Sequence, residues 1–145
     1  MFNSFIDFYM LLKKNLDDCE VPYPDYINNF PKIFKLLLDL LKYPEITKKE
    51  RLLISAAVTY AVLPNDFIPE KNLGPYGYVD DIFVCVYVLK KIEEIRGLKL
   101  LEKVWEGDNS FVDILELSES KSKDFLTSKD SNIVKKILKF VGLID

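Results

Sequence analysis

Four carboxylates stand close together in the middle of the chain: Asp66, Glu70, Asp80 and Asp81. The first two lie in a segment rich in proline and glycine, and the other two begin an apolar segment. If the apolar segments on either side form a helical hairpin, the carboxylates converge at one end of it. Carboxylate oxygens are the ligands that Mg2+, Mn2+ and Ca2+ prefer in proteins. These four residues are therefore the candidate metal site of the sequence.

The same carboxylates also have a structural interpretation. Asp66 can cap a short turn, and Asp80 or Asp81 can cap the following helix and complement its dipole. Adjacent side chains on a helix point about 100° apart, so we do not expect Asp80 and Asp81 to act together on one ligand. An unpaired buried charge is costly. We therefore favour capping and internal hydrogen bonding, with metal binding as the open alternative.

Several kinds of catalysis are excluded by composition. The chain has no histidine, which removes Ser-His-Asp and Cys-His arrangements and every histidine-bearing zinc site. The two cysteines, Cys19 and Cys85, are far apart, and Cys85 is expected to be a buried core residue because it lies in an apolar run. No phosphate-binding loop of the Walker type is present. We expect no catalytic residue and no cofactor beyond a metal of the alternative site.

Composition predicts one globular domain over residues 1–145, since 49% of the residues are hydrophobic and 30% are charged. The net charge of −3 argues against nucleic-acid binding, for which a basic surface is typical.

The longest apolar runs, Leu52–Leu63 and Ile82–Leu89, are shorter than the roughly 20 residues that span a bilayer. We expect a cytoplasmic protein. Membrane contact is not favoured, and its one plausible anchor is an aromatic edge of the first helix: Phe2, Phe5, Phe8 and Tyr9.

Helical periodicity without strand alternation predicts an all-α fold, a compact bundle of about six to seven helices around a central helical hairpin at residues 57–92. A capping box at residues 47–50 begins the third helix, and Gly97 ends the fourth. The prolines and Gly77 predict a rigid loop between these two helices. In the C-terminal part we expect a helix capped by Asp108 or Asn109, a mobile polar linker at residues 118–124, and a last helix from a Ser131 cap to Gly142.

One segment resembles a known family. The runs PNDFIPE (residues 64–70) and GYVDD (residues 77–81) are similar to the Pro-x-Asp-x-Ile-Pro-Asp and Gly-x-x-Asp-Asp motifs of the YkvA-like domain of unknown function. Glu70 replaces the usual Asp, and the intervening loop is about one residue longer. The resemblance implies a hairpin of two apolar helices with the acidic loop between them. It implies no activity, because none is established for the family.

Our leading hypothesis is a non-enzymatic interaction or regulatory module with a protein partner of unknown identity. Two alternatives stay open. One is a divalent-metal-binding protein, including a metal-dependent hydrolase, that uses the four carboxylates. The other is a peripheral membrane protein. The sequence does not define the partner, the ligand or the oligomeric state.

Overall fold

The computed structural model of the protein describes residues 2–63 and 74–145. The described residues are helical and contain no strand, which confirms the all-α fold class. They form seven α-helices: α1 Phe2–Asp17, α2 Phe30–Leu41, α3 Lys48–Val62, α4 Val79–Arg96, α5 Lys99–Val104, α6 Phe111–Lys129 and α7 Ile133–Val141. Two 3-10 turns, Asp25–Asn29 and Gly74–Tyr78, precede α2 and α4.

Helix α4 lies at the centre of the fold. Every residue from 79 to 86 is buried, and a helix that is covered on all sides must have neighbours on all sides. These neighbours are α2, α3, α6 and α7. The helical hairpin expected at the centre is formed by α3 and α4, and the other helices cover it.

One end of the hairpin is held by a buried ion pair. Thr47 and Glu50 form the expected capping box at the start of α3. The Glu50 carboxylate also receives two hydrogen bonds of 2.7 Å from Nε and Nη2 of Arg96, near the end of α4. The Arg96 hydrogen bonds lower the pKa of Glu50 from 4.5 to about 2, against the opposing effect of burial. Gly97 ends α4 with φ 84°, as expected.

The polar linker expected at residues 118–124 is wrong, because this segment lies inside α6. Ser118 and Ser122 are both completely buried, and the Ser122 hydroxyl donates a 2.6 Å hydrogen bond to the carbonyl oxygen of Ser118. A serine hydroxyl bonded within its own helix can occupy a core-facing position. The two serines lie on the same buried face of α6 as the apolar side chains of Leu115 and Leu126.

Two expected helix caps are also wrong by one or two residues. Ser110, not Asp108 or Asn109, is the N-cap of α6, and its hydroxyl accepts from the Asp113 N–H. At α7 the carboxylate of Asp130 accepts a 3.0 Å hydrogen bond from the N–H of the N-cap residue, in place of the expected Ser131 cap. The expected end of α7 at Gly142 is confirmed, with φ 87°.

The loop between α3 and α4 is described only from residue 74 onward. Its prolines, Pro64 and Pro69, lie outside the described residues, so the expected rigidity stays a prediction. Gly74 has a positive φ of 58°, a conformation that glycine adopts without strain. Gly77 is buried in the 3-10 turn.

Trp105 packs at the edge of the core. Its ring contacts Phe111 with 5.5 Å between centroids, and its indole N–H donates a 2.9 Å hydrogen bond to the carbonyl oxygen of Asn109. Gly107 lies against this ring, where an added Cβ would come within 2.2 Å of a ring carbon. A side chain at position 107 would therefore displace the tryptophan.

The aromatic edge of α1 faces the core. Phe5 and Phe8 are partly buried and pack against it, and Tyr9 is buried. The side chain of Phe2 lies outside the description. This edge is therefore not the exposed anchor that a membrane-bound first helix would need. No helix among the described residues has the length and apolar character to cross a bilayer.

Candidate functional site

The acidic pair Asp80 and Asp81 lies in the first turn of α4, and both residues are completely buried. The 3-10 turn runs directly into α4, so the N-cap position belongs to Tyr78. The expectation that one of the two aspartates is the N-cap is therefore wrong. Acidic side chains in the first turn do complement the helix dipole, as expected.

Tyr60 reaches Asp80 across the hairpin. Its hydroxyl donates a 2.7 Å hydrogen bond to Oδ2 of Asp80, and Tyr60 is only 3% exposed. This bond joins the last turn of α3 to the first turn of α4. It lies at the opposite end of the hairpin from the ion pair between Glu50 and Arg96, so both ends of the hairpin are held by polar contacts.

Together with burial, Asp81 raises the pKa of Cys85, which lies one helical turn later on α4. Cys85 is completely buried, as expected, and burial together with the negative charge of Asp81 raises the pKa of its thiol well above 9.0. A thiol that stays protonated is a poor nucleophile. Cys85 is therefore a core residue and not a reactive group.

The other two carboxylates of the predicted metal site, Asp66 and Glu70, lie outside the described residues. Across residues 2–63 and 74–145, no three metal-ligating side chains come together. The described half of the site consists of Asp80 and Asp81. Metal binding by the four residues stays a prediction.

A groove on the outer face of the hairpin was not predicted. It has a volume of about 410 Å3 and is lined by residues of α3, its C-cap and α7: Leu52, Ser55, Ala56, Thr59, Tyr60, Leu63, Phe140 and Val141. Three large hydrophobic side chains border it while remaining exposed: Leu52 by 63%, Phe140 by 58% and Leu63 by 43%. We refer to this surface as the α3–α7 groove.

The sequence signal for the groove is a second helical stripe on α3. Ile54, Ala57 and Val58 form the buried face, whereas Leu52 and Thr59 recur with helical spacing on the other side and are exposed. Because the run from Leu52 to Leu63 is almost entirely apolar, its two stripes look alike in the sequence. Only the positions of α4 and α7 decide which stripe is covered.

Tyr60 connects the groove to the acidic pair. Its ring lines the groove and contacts Phe140 edge to face, with 6.2 Å between centroids. Its hydroxyl bonds to the buried Asp80. Tyr60 is therefore the side chain that links Phe140 in the groove to Asp80 at the start of α4.

Exposed lysines lie on both helices that form the groove. Lys48 and Lys49 form the first turn of α3, and Lys135 and Lys139 lie on α7. All four are exposed, and none forms an ion pair with another described residue. Both helices therefore carry exposed positive charge although the whole chain has a net charge of −3.

Tyr76 and Tyr78, in the turn before α4, serve different roles. Tyr76 stacks on Phe125 with 5.2 Å between ring centroids and lines a second cavity of about 460 Å3 beside α6. Tyr78 packs against Phe30 and accepts a 3.3 Å hydrogen bond from Asn15. Both tyrosines therefore pack against helices outside the hairpin, and Tyr76 also lines a cavity.

Most of the hairpin lies in the segment of the chain that matches a known family. Residues 50–87 match the family described as Protein of unknown function (DUF1232). The chain is 34% identical over 134 residues to a protein of Methanothermobacter thermautotrophicus described as Uncharacterized protein ORF9, covering 92% of this chain and 88% of that protein. No solved structure matches it significantly. The matched segment contains the α3 side of the groove together with Tyr60, Asp80 and Asp81. The chain therefore belongs to the DUF1232 family of proteins of unknown function, which is the YkvA-like family.

Proposed function

We propose that this chain is a non-enzymatic interaction module that binds another protein through the α3–α7 groove. The observation that supports this proposal is the convergence of Leu52, Leu63 and Phe140 on one concave surface while each is more than two-fifths exposed. Exposed apolar patches on folded proteins mark interaction sites, because single scattered hydrophobic residues are normal but contiguous ones are not. The α3 side of the groove also lies within the segment that matches the family.

The chemistry of the lining favours binding over catalysis. Its polar groups are the hydroxyls of Ser55, Thr59 and Tyr60. A serine or threonine nucleophile needs an adjacent base, and histidine, the usual base, is absent from the chain. The Tyr60 hydroxyl is engaged with Asp80 inside the hairpin. Hydroxyls in an apolar groove suit hydrogen bonding to a docked partner.

The hairpin also has the rigidity that a preorganised binding surface needs. The bonds from Arg96 to Glu50 and from Tyr60 to Asp80 connect α3 with α4 near its two ends. A surface that is already rigid loses less conformational entropy on binding. These contacts therefore support a role for α3 as a fixed platform.

A position-specific photo-crosslinking experiment tests the proposal. Leu52→Cys in a Cys19→Ser background carries a benzophenone maleimide, and Cys85 does not compete because it is completely buried. Leu11→Cys in the same background is the matched control, since Leu11 is 53% exposed on α1, away from the groove. The labelled protein is illuminated in a lysate of the cells that naturally produce it.

We expect a discrete adduct from position 52 and not from position 11. Excess unlabelled wild-type protein should remove the adduct, and excess unlabelled Phe140→Glu protein should not. Equal labelling from both positions, or no discrete adduct from position 52, would contradict the proposal. Divalent-metal binding at the acidic loop and contact with a membrane surface stay predictions with tests of their own.

A further inference from the structure

We propose that the partner held by the α3–α7 groove is an amphipathic α-helix with acidic side chains along its flanks. This inference rests on the proposed function and names the class of partner. It is supported by the shape of the groove and by the charges around it.

The shape of the groove suits a helix that lies along α3. Small side chains, Ser55, Ala56 and Thr59, form its floor between the larger Leu52 and Leu63. The two leucines are eleven positions apart, which corresponds to about 16 Å, or three turns, along a helix axis. A helix that docks in such a groove inserts apolar side chains at i, i+3 or i+4, and i+7. The groove therefore accommodates about three turns of a partner helix.

The charges at the start of α3 are unusual for an isolated helix. Lys48 and Lys49 occupy its first two positions, where the positive end of the helix dipole disfavours cations. The acidic residue of this turn, Glu50, is buried and bonded to Arg96. Lys48 precedes Leu52 by one helical turn and therefore lies on the same face. Acidic side chains of a docked helix would offset the positive charge of the two lysines and of the positive end of the helix dipole.

Exposed lysines are also present on α7. Lys136 precedes Phe140 by one turn and therefore lies on its face, and it is paired with Asp130 at 2.7 Å. Lys135 and Lys139, also exposed, have no such pair within the described part of the chain. Opposite charges on the two partners steer association and select the partner. The lysines at the start of α3 thus select an acidic helix over a basic one.

The probe for this proposal is a fluorescein-labelled, amphipathic 18-residue peptide with leucines at helical spacing and glutamates on both flanks. Its control is the same peptide with every glutamate replaced by lysine. Fluorescence anisotropy measures the binding of each peptide to the full chain. The variants are Leu52→Glu, Lys48→Glu and Leu11→Glu, each checked by circular dichroism for unchanged helix content and melting temperature.

We expect the acidic peptide to bind and the basic peptide to bind at least about 10-fold more weakly. Leu52→Glu should weaken binding by about 10-fold or more, as for a central apolar contact. Lys48→Glu should weaken it less and reduce its salt dependence, and Leu11→Glu should leave it unchanged. Equal binding of the two peptides, or binding that Leu52→Glu does not alter, would overturn the inference.

Two further measurements test other occupants of the groove. Flotation with phosphatidylglycerol vesicles that is lost in Leu52→Glu would identify an anionic membrane as the occupant and overturn the helix proposal. A dimer in light scattering that Leu52→Glu dissociates would identify a second copy of the chain and overturn it as well. A position-52 adduct in the lysate without acidic-peptide binding would reject the acidic helix and leave the interaction function standing. Failure of both experiments would reject the function.

Discussion

Replacement of Glu50 by glutamine tests whether the ion pair at one end of the hairpin stabilises the fold. The carboxylate is completely buried and accepts two hydrogen bonds from Arg96. Its pKa is lowered from 4.5 to about 2, a difference of about 2.5 pH units that corresponds to about 3 kcal/mol of stability at pH 7. Glu50→Gln should therefore lower the free energy of unfolding by about 3 kcal/mol, since it removes the buried negative charge that pairs with the partly buried Arg96 guanidinium.

The pH dependence of this contribution has a definite sign. Because the pKa of Glu50 is lower in the folded state, its stabilisation is complete above pH 4.5 and is lost as the pH falls toward 2. Between pH 7 and pH 3 the wild-type protein should lose about 2 kcal/mol through this group. Glu50→Gln has no such titration, so its loss of stability over the same interval should be smaller by that amount.

Urea unfolding followed by circular dichroism from pH 7 to pH 3 measures both quantities. Glu94→Gln is the matched control, because Glu94 lies on α4, the helix of Arg96, with its side chain 66% exposed and paired with Lys91. Exposed pairs of this kind contribute little, so the control should follow the wild type. If Glu50→Gln and the wild type lost the same free energy over this interval, the reasoning would be refuted.

Three further predictions concern the acidic pair and the edge of the core. Tyr60→Phe, which removes the hydrogen bond to the buried carboxyl at the start of α4, should cost about 1–3 kcal/mol in urea unfolding, while Tyr87→Phe on the same hairpin should be nearly neutral. Gly107→Ala should lower the melting temperature and shift the fluorescence of Trp105, because its Cβ would meet the indole ring; an unchanged spectrum would contradict the contact. Saturating Mg2+ or Mn2+ should leave the melting temperature unchanged, and a metal-dependent rise that Asp81→Asn abolishes would instead establish the metal site.

Local signals in the sequence correctly predicted the start of α3 and the ends of α4 and α7. The capping box at Thr47 and the terminal glycines Gly97 and Gly142 depend on contacts within a few residues, so the sequence contains all the information they need. The prediction of a linker around Ser118 was wrong because the role of this segment depends on helices that are distant in the sequence. Its polar composition is typical of a linker, but the serines lie at the buried positions of a helix whose neighbours decide what those positions tolerate.

The candidate site was harder to predict, because its contacts join distant parts of the chain. The importance of Asp80 was apparent from its position, but its bond to Tyr60 spans 20 residues. The exposure of Leu52 depends on where α4 and α7 pack, and nothing in its own segment distinguishes it from the buried Ile54. The sequence pointed to Asp80 and Asp81, whereas the groove required the arrangement of the helices.

The burial of α4 on all sides has a consequence for the modularity of the family. The segment that matches the family model, residues 50–87, contains the first half of α4 but lacks α2, α6 and α7, which cover it. An excised hairpin would expose the apolar surface of residues 79–86 to water. We therefore expect the matched segment to fold only together with the surrounding helices. Each of those helices must offer an apolar face to α4.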